Sequence, residues 1–406
     1  MGVKYMNVLF LTIAGFRSIN EPGIYNDLLR EFIKNGHQIY VVCAKQKRDN
    51  VPVGLFENDG YKILRVGIGN VTKTTNLIEK GISMLGLERK FLNGIKKHYN
   101  DVKFDLVLYA TPPITFDRVI KYIKKRDLAK SYLLLKDIFP QNSVDLRMFS
   151  KRNPIYWYFR LREKQLYRNS DVIGCMSEAN VEYLLKHNPE LSADIVEVCP
   201  NSIEPINIDV NDKQRTDIRQ KYGIPLDKTV FIYGGNLGKP QGIEFLIKCL
   251  KSNQDNEDVF FLIVGSGTEF NKLKSYFDTE KPNNAKLLDQ LPKADYDMLA
   301  NSCDVGLIFL DNRFTIPNFP SRLLSYMQAS MPVLAATDVN TDIGKVIEEG
   351  KFGFWCESKD VSVFNDNVNK LCDPILRKEM GSNARRYLEE NYTVKHSYEI
   401  IMKHFR

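Results

Sequence analysis

A chain of 406 residues with 43% hydrophobic content can bury two separate cores and is too long for one ordinary domain. No run of about 18 apolar residues occurs and Met1 to Leu11 lacks a secretory-leader pattern, so the expectation is a soluble cytoplasmic protein with no membrane span. The net charge of +7 is uneven: residues 1–200 hold 31 Lys+Arg against 21 Asp+Glu and the remainder 26 against 29, so the first half is expected to face an anionic partner, with plain solvated surface as the alternative.

In chain order, Asn7 to Ile13 reads as a buried strand, Ile24 to Lys34 as an amphipathic helix and Gln38 to Cys43 as the next strand, a βαβ opening. Further strands are predicted at 62–66, 106–109, 132–135, 172–175 and 195–199, with helices at 77–98, 114–125, 154–168 and 178–186 between them. Pro200-Asn201 and the polar segment Glu204 to Arg215 read as a linker, after which the alternation restarts. Strands at 259–264, 285–288, 305–310, 332–336 and 353–356 follow, and helices close the chain. Such alternation predicts parallel sheets covered on both faces, hence two Rossmann-like domains facing across a cleft. The seven cysteines are scattered without a Cys-x-x-Cys pair, and the five histidines lie far apart. They read as reduced core thiols and exclude a zinc site of ordinary spacing.

The most informative stretch is Phe231 to Gly242, where an apolar strand ending at Tyr233 meets Gly234, Gly235 and Gly238 and a helix begins at Gly242. Glycines there permit positive φ or close backbone approach, and free N–H groups, a helix dipole and Lys239 would together hold a phosphate. A tight βα turn without a ligand fits the same pattern.

Several segments together resemble bacterial GT-B glycosyltransferases of family 4, the O-antigen and capsule branch. Gly36 to Val42 resembles the first-domain strand entry, Lys136-Asp137-Ile138-Phe139-Pro140 the Arg-Asp-Leu-Trp-Pro motif, and Pro200-Asn201 the close of the first domain. Gly235 to Gly242 resembles the donor loop, with Asn236 and Gln241 where many relatives carry Arg and Lys; Gly265-Ser266-Gly267 resembles the next strand end, and Pro320-Ser321-Arg322-Leu323-Leu324 the Pro-Ser-Lys helix start. Gln290, Leu291 and on to Tyr296 align with the base-binding loop. The family's paired glutamates align with Pro317 and Ser325, so Ser325 stands where relatives contact the ribose.

This resemblance implies a GT-B fold with an acceptor-side domain over 1–203, a donor domain over 204–385, and a C-terminal helix, 386–406, packing back on the first domain. It implies retaining, metal-independent transfer from a nucleoside-diphosphate sugar, UDP favoured and GDP the alternative, with no other cofactor. The acceptor would be a saccharide or a polyprenyl-diphosphate-linked one at the inner face of the cytoplasmic membrane. Lys239 and Arg322 are the candidate cations for the departing diphosphate, and Gly234, Gly235, Gly238 and Ser321 add uncharged donors, Ser321 doubling as a helix cap. Asp137 is the candidate for orienting or deprotonating the acceptor hydroxyl, with simple turn closure as its other reading. Gly23, at the start of the first helix, is a candidate phosphate contact. Glu163 reads as a surface salt-bridge partner.

Asp295-Tyr296-Asp297 is a D-x-D sequence, but residues two apart on a helix diverge, so no metal site is expected. Arg152 to Arg168 mixes aromatics and cations, as a helix lying on a membrane interface does; the alternative is that Trp157, Phe159 and Leu161 pack inward beneath solvated arginines. No motif supports nucleic-acid binding. Two other functions remain open: a catalytically impaired subunit, because of Pro317 and Ser325, and a sugar-nucleotide epimerase, for which a set of acid-base side chains is missing.

Overall fold

The computed structural model describes residues 5–70, 77–208 and 210–405. The chain forms two compact units, 1–204 with 393–406, and 205–392. The first holds β1 (Asn7–Thr12), α1 (Ile24–Lys34), β2 (Gln38–Gln46), β3 (Gly54–Asn58), β4 (Tyr61–Ile68), α2 (Leu77–His98), β5 (Leu106–Ala110), α3 (Asp117–Asp127), β6 (Lys130–Leu135), α4 (Gln141–Asp145), α5 (Pro154–Asn169), β7 (Val172–Cys175), α6 (Glu178–His187) and β8 (Val196–Val198). The second holds α7 (Asp212–Lys221), β9 (Thr229–Asn236), α8 (Ile243–Ser252), β10 (Val259–Ser266), α9 (Phe270–Glu280), β11 (Ala285–Leu288), α10 (Lys293–Ala300), β12 (Val305–Phe309), α11 (Arg322–Gln328), β13 (Val333–Thr337), α12 (Ile343–Gly350), β14 (Gly353–Glu357), α13 (Val361–Lys370) and α14 (Pro374–Asn391); α15 (Val394–Met402) returns to the first.

The first sheet runs β3-β4-β2-β1-β5-β6-β7-β8 and the second β11-β10-β9-β12-β13-β14. Every neighbouring pair is parallel except β3 with β4. That hairpin was not predicted. Its signal is Asp59-Gly60, a two-residue turn between Asn58 and Tyr61 with Gly60 at φ 79°, flanked by strands one of which is short and half exposed. Central strands such as β5 are buried on both faces, and all seven cysteines are free, six of them buried.

α1 turns Leu28, Leu29 and Phe32 onto the first sheet, and Tyr398, Ile401 and Met402 of α15 complete the same core. The Tyr398 hydroxyl lies 2.8 Å from His37 Nε2, and its ring meets Phe32 edge-on. Burial pushes the His37 pKa down, which favours the neutral ring in this contact. The return begins at Thr393 rather than at the expected 386, because α14 continues without interruption to Asn391.

The expected linker is structured from Asp212 onward. Asn211 and Gln214 form a reciprocal capping box at the start of α7, and Arg219 on that helix is 1% exposed. Its guanidinium donates to Asp304 (2.7 Å), to the Ser302 carbonyl (2.8 Å) and to the Pro225 carbonyl (3.1 Å), while Asp304 also accepts from the Val230 N–H that opens β9. Asp304 also pairs with Arg215 at 2.5 Å, so removing Arg219 takes one of two guanidinium partners from the carboxylate and leaves the Ser302 and Pro225 carbonyls without this donor. Arg219→Ala is expected to cost the second unit about 1–3 kcal/mol, read as an earlier urea transition of that unit, while Lys213→Ala, exposed on the same helix, leaves it unmoved.

Candidate functional site

In the second unit the glycine-rich stretch is built differently from the expected turn. Gly234 and Gly235 belong to β9 itself, in register with Val264 and Gly265 of β10, because the strand pair continues to Asn236 opposite Ser266. Two side chains explain the glycines. A Cβ on Gly234 would overlap the Tyr296 hydroxyl, and one on Gly235, at φ 125°, would sit 3.3 Å from Arg322 Nη2. Gly265 is needed for backbone approach, since a Cβ there would strike the Gly235 carbonyl. Gly238 has an ordinary φ of −109°, and its role is the close approach: a Cβ there would lie 3.0 Å from Asn236 Nδ2 and 3.3 Å from Gln241 Oε1. Gly242, at φ 56°, is the left-handed residue that starts α8.

Arg322 lies with its guanidinium 4.0 Å from the Tyr233 ring centroid, and its Nη1 is buried without a protein hydrogen-bond partner. Tyr233 is fixed from the other side, its hydroxyl donating to the Asn236 carbonyl at 2.7 Å. Tyr326, four residues on from Arg322, buries its hydroxyl against the Ile232 and Leu307 carbonyls at 3.1 and 3.2 Å and faces the Gly234 N–H at 3.4 Å. Sequence reasoning missed Tyr326, and placed Tyr296 only at the end of the segment aligned with the base-binding loop; they are the large partners of Gly306 and Gly234. A cation held beside a Cβ-free strand end with an unused buried N–H is a site for an anion.

The other predicted donor-side residues sort unequally. Lys239 is exposed at the loop. Gln241 Oε1 accepts from the Gly238 N–H at 3.0 Å and from Asn236 Nδ2 at 3.1 Å, so these three close the loop on itself and the Gly238 N–H is not free as expected. Ser266 and Gln290 meet at 3.3 Å, joining the ends of β10 and β11, with Leu291 beside them in sequence. Pro320 precedes α11. Ser321 is exposed with helical φ and ψ of −65° and −17° and makes no side-chain cap bond, so its predicted capping role is absent: a cap acceptor needs an extended backbone. Ser325 is exposed on α11, and Pro317 is buried. The two aspartates of the D-x-D sequence diverge: Asp295 binds Lys221 and Tyr222, Asp297 binds Lys293, and Tyr296 turns in between them. Among the described residues, no cluster of three or more His, Cys, Asp or Glu could hold a metal.

Gly23 is overturned as a phosphate contact. It lies in the first unit, its φ of 166° is extended backbone open to any residue, and its N–H donates to Asp27 Oδ1 at 3.0 Å. A carboxylate already occupies that helix start.

Asp137 follows β6. Its carboxylate accepts both oxygens' contacts from Asn142 Nδ2 (2.9 and 3.1 Å), and Thr111 Oγ1 accepts from the Lys136 and Asp137 N–H groups (3.0 and 3.2 Å). Burial pushes the Asp137 carboxyl up to about 6, opposed by the Asn142 bond and the Ile138 N–H. Lys136 beside it is pushed down to about 8 by burial, and donates to the Cys199 carbonyl at 3.3 Å. Thr111 also lines a cavity of about 700 Å³ at the carboxyl ends of β1, β2 and β5, with Thr12, Phe16, Arg17, Arg48 and Arg65. Buried Arg65 holds that wall, donating to the Phe16 and Arg17 carbonyls at 2.8 and 2.6 Å. The cavity was not foreseen; an arginine inside the apolar run of β4 was its one trace in the sequence.

Residues 214–387 match the family model described as Glycosyl transferases group 1. Over 321 residues, 78% of either chain, the sequence is 24% identical to a protein named probable glycosyltransferase WbjE from Pseudomonas aeruginosa. Among solved structures it is similar to sucrose-phosphate synthase from Thermosynechococcus elongatus, with TM-score 0.78, 15% identity, and coverage of 99% of this chain and 98% of that one. It is also similar to HepE of Anabaena in complex with UDP and glucose, with TM-score 0.69, 16% identity, and coverage of 98% and 99%. The fold is GT-B, and the match to the family model lies within the second unit.

The raised Asp137 value fixes a pH dependence. A carboxyl that titrates near 6 when folded and near 4 when unfolded contributes stability that is complete below about 4 and lost as the pH rises through about 6. Thermal midpoints across that window should fall for the wild type, with a shallower fall for Asp137→Asn. Equal slopes would place the carboxyl in an ordinary solvated state.

Proposed function

We propose that this chain is a glycosyltransferase that moves a sugar from a nucleoside-diphosphate donor, UDP favoured and GDP the alternative, to an acceptor in surface polysaccharide synthesis. The reading makes the reaction retaining and metal-independent, and the acceptor a saccharide or a polyprenyl-diphosphate-linked one at the inner face of the cytoplasmic membrane. The carrying observation is the buried, unpartnered Arg322 Nη1 over Tyr233, beside the Gly235 position that only a residue without Cβ leaves open. The family match of the second unit and the UDP bound to HepE support a nucleotide there.

On this reading the bond between the anomeric carbon and the phosphate oxygen breaks with its electron pair going to the diphosphate. Arg322 and Lys239 stabilise the charge that develops. The Asn236, Gly238 and Gln241 loop, with Gly265, Ser266, Gln290 and Leu291, shapes the donor pocket, Pro320 and Ser321 lead into the Arg322 helix, and Ser325 takes the ribose position with a hydroxyl in place of a carboxylate. The acceptor oxygen forms the new bond to the anomeric carbon, and Asp137 orients its hydroxyl or takes the proton. A group titrating at about 6 is mostly ionised at neutral pH yet holds a proton more readily than an ordinary carboxylate, which suits either task. The cavity next to Thr111 is the acceptor's place in this scheme.

Calorimetric titration with UDP, GDP and their sugars tests it. One nucleoside diphosphate should bind selectively, Arg322→Ala should weaken it roughly 10- to 100-fold, and exposed Lys239→Ala should cost only a few-fold. A folded wild type that binds no nucleotide at all sinks the proposal.

A further inference from the structure

The packing of α5 inverts the ordinary amphipathic arrangement. Arg162 and Glu163 are buried: Arg162 Nη2 pairs with Glu88 at 2.7 Å and Asp117 at 2.5 Å, and Glu163 holds Arg160 at 2.5 Å and the Tyr167 hydroxyl at 2.7 Å. Neither the surface role expected of Glu163 nor the inward Trp157 and Leu161 is found. Instead Ile155 (52% exposed), Trp157 (62%), Tyr158 (43%) and Leu161 (54%) face solvent. Pro154, Trp157, Tyr158 and Leu161 lie at i, i+3, i+4 and i+7, one side of the helix. Burying Arg162 and Glu163 as ion pairs while exposing this stripe is a costly choice for a face that meets only water.

The surroundings say what the face meets. Exposed Met148 extends the apolar surface, and exposed Arg147, Lys151 and Arg152 lead into the helix. Between Arg147 and Arg168 the one carboxylate is Glu163, which is buried. The neighbouring α3 adds exposed Lys121 and Lys125. Glu190 pairs with Lys164 and Arg168 toward the C-terminal end of the helix, so the unpaired cationic rim is the Arg147, Lys151 and Arg152 end. Tryptophan and tyrosine beside aliphatic side chains, with lysine and arginine at that end, match the boundary of an anionic bilayer, where rings sit at headgroup depth and cations meet lipid phosphates. A second copy is a poor fit, because a two-fold contact would set this cationic rim against itself. Among the described residues no helix is long and apolar enough to cross a membrane.

We infer that the outward face of α5 docks this protein on the surface of an anionic lipid bilayer, inserting Ile155, Trp157, Tyr158 and Leu161 with Arg147, Lys151 and Arg152 at the headgroups. The inference deepens the membrane side of the proposed function, but its readout needs neither nucleotide nor turnover, so the two fail separately. The experiment is co-sedimentation of the full chain with vesicles of equal parts phosphatidylglycerol and phosphatidylcholine, against vesicles of phosphatidylcholine alone. Binding to the anionic vesicles is expected, weakened roughly tenfold by Trp157→Ser with Leu161→Ser and by Lys151→Glu with Arg152→Glu, and reduced by added salt. In Trp355→Phe, Trp157 is the remaining one of two tryptophans, and its emission should shift to the blue on the anionic vesicles. Absence of binding by a folded wild type, binding that both double variants retain, or concentration-dependent dimers abolished by Trp157→Ser with Leu161→Ser would each overturn it, the last by showing a second copy on the face.

Discussion

The second unit depends on a problem of room: a guanidinium and a phenol must reach the carboxyl end of a central parallel strand, where two Cβ atoms would ordinarily stand. Gly234 yields to Tyr296 and Gly235 to Arg322, and Gly265 on the next strand lets the two backbones stay in register around the vacancy. Everything nearby serves that geometry. Tyr233 supplies the ring under the cation, Tyr326 ties β9 to β12 from beneath, and Gln241 locks the loop beyond. Arg322 Nη1 is buried without a protein partner, so this strand end keeps one donor unspent.

Much of this was legible, and the parts that were not share a cause. The alternation of apolar strands and amphipathic helices reports burial on both sheet faces, so the two parallel sheets and the position of Gly235, Lys239 and Arg322 could be read from periodicity and motif. What periodicity does not report is partnership. Arg162 and Glu163 look like surface charges until Glu88, Asp117 and Tyr167, distant in sequence or on another turn, are seen to pair with them. Arg219 lies just past the segment read as a linker, and Asp304 and two carbonyls turn it inward. Gly23 carried a glycine's promise of a phosphate contact until Asp27 took its N–H. The hairpin of β3 is written in the two-residue Asp59-Gly60 turn, but β3 is half exposed and weakly apolar, so the segment before it reads as loop.

In the first unit a hydroxyl does the corresponding work. Thr111 receives two successive N–H groups after β6 and returns its own proton to the Asp137 carbonyl, which sets the direction of the Asp137 side chain without touching it. Asn142 then binds the carboxylate with both oxygens, and burial raises its proton affinity against that bond. Position and protonation of this one group are thus set by different neighbours, so they can be altered independently.

The first unit also has a history imposed by its connectivity. Its core closes only when Tyr398 meets His37 and Phe32, residues separated from it by 361 positions or nearly so, with the whole second unit between. During synthesis the α1 face bearing Leu28, Leu29 and Phe32 therefore emerges long before its cover exists, while the second unit is complete within its own stretch. The later-made unit can finish first, and the earlier one must wait with an apolar seam open, which makes the ribosome-bound chain, more than the finished protein, the form in need of chaperone protection.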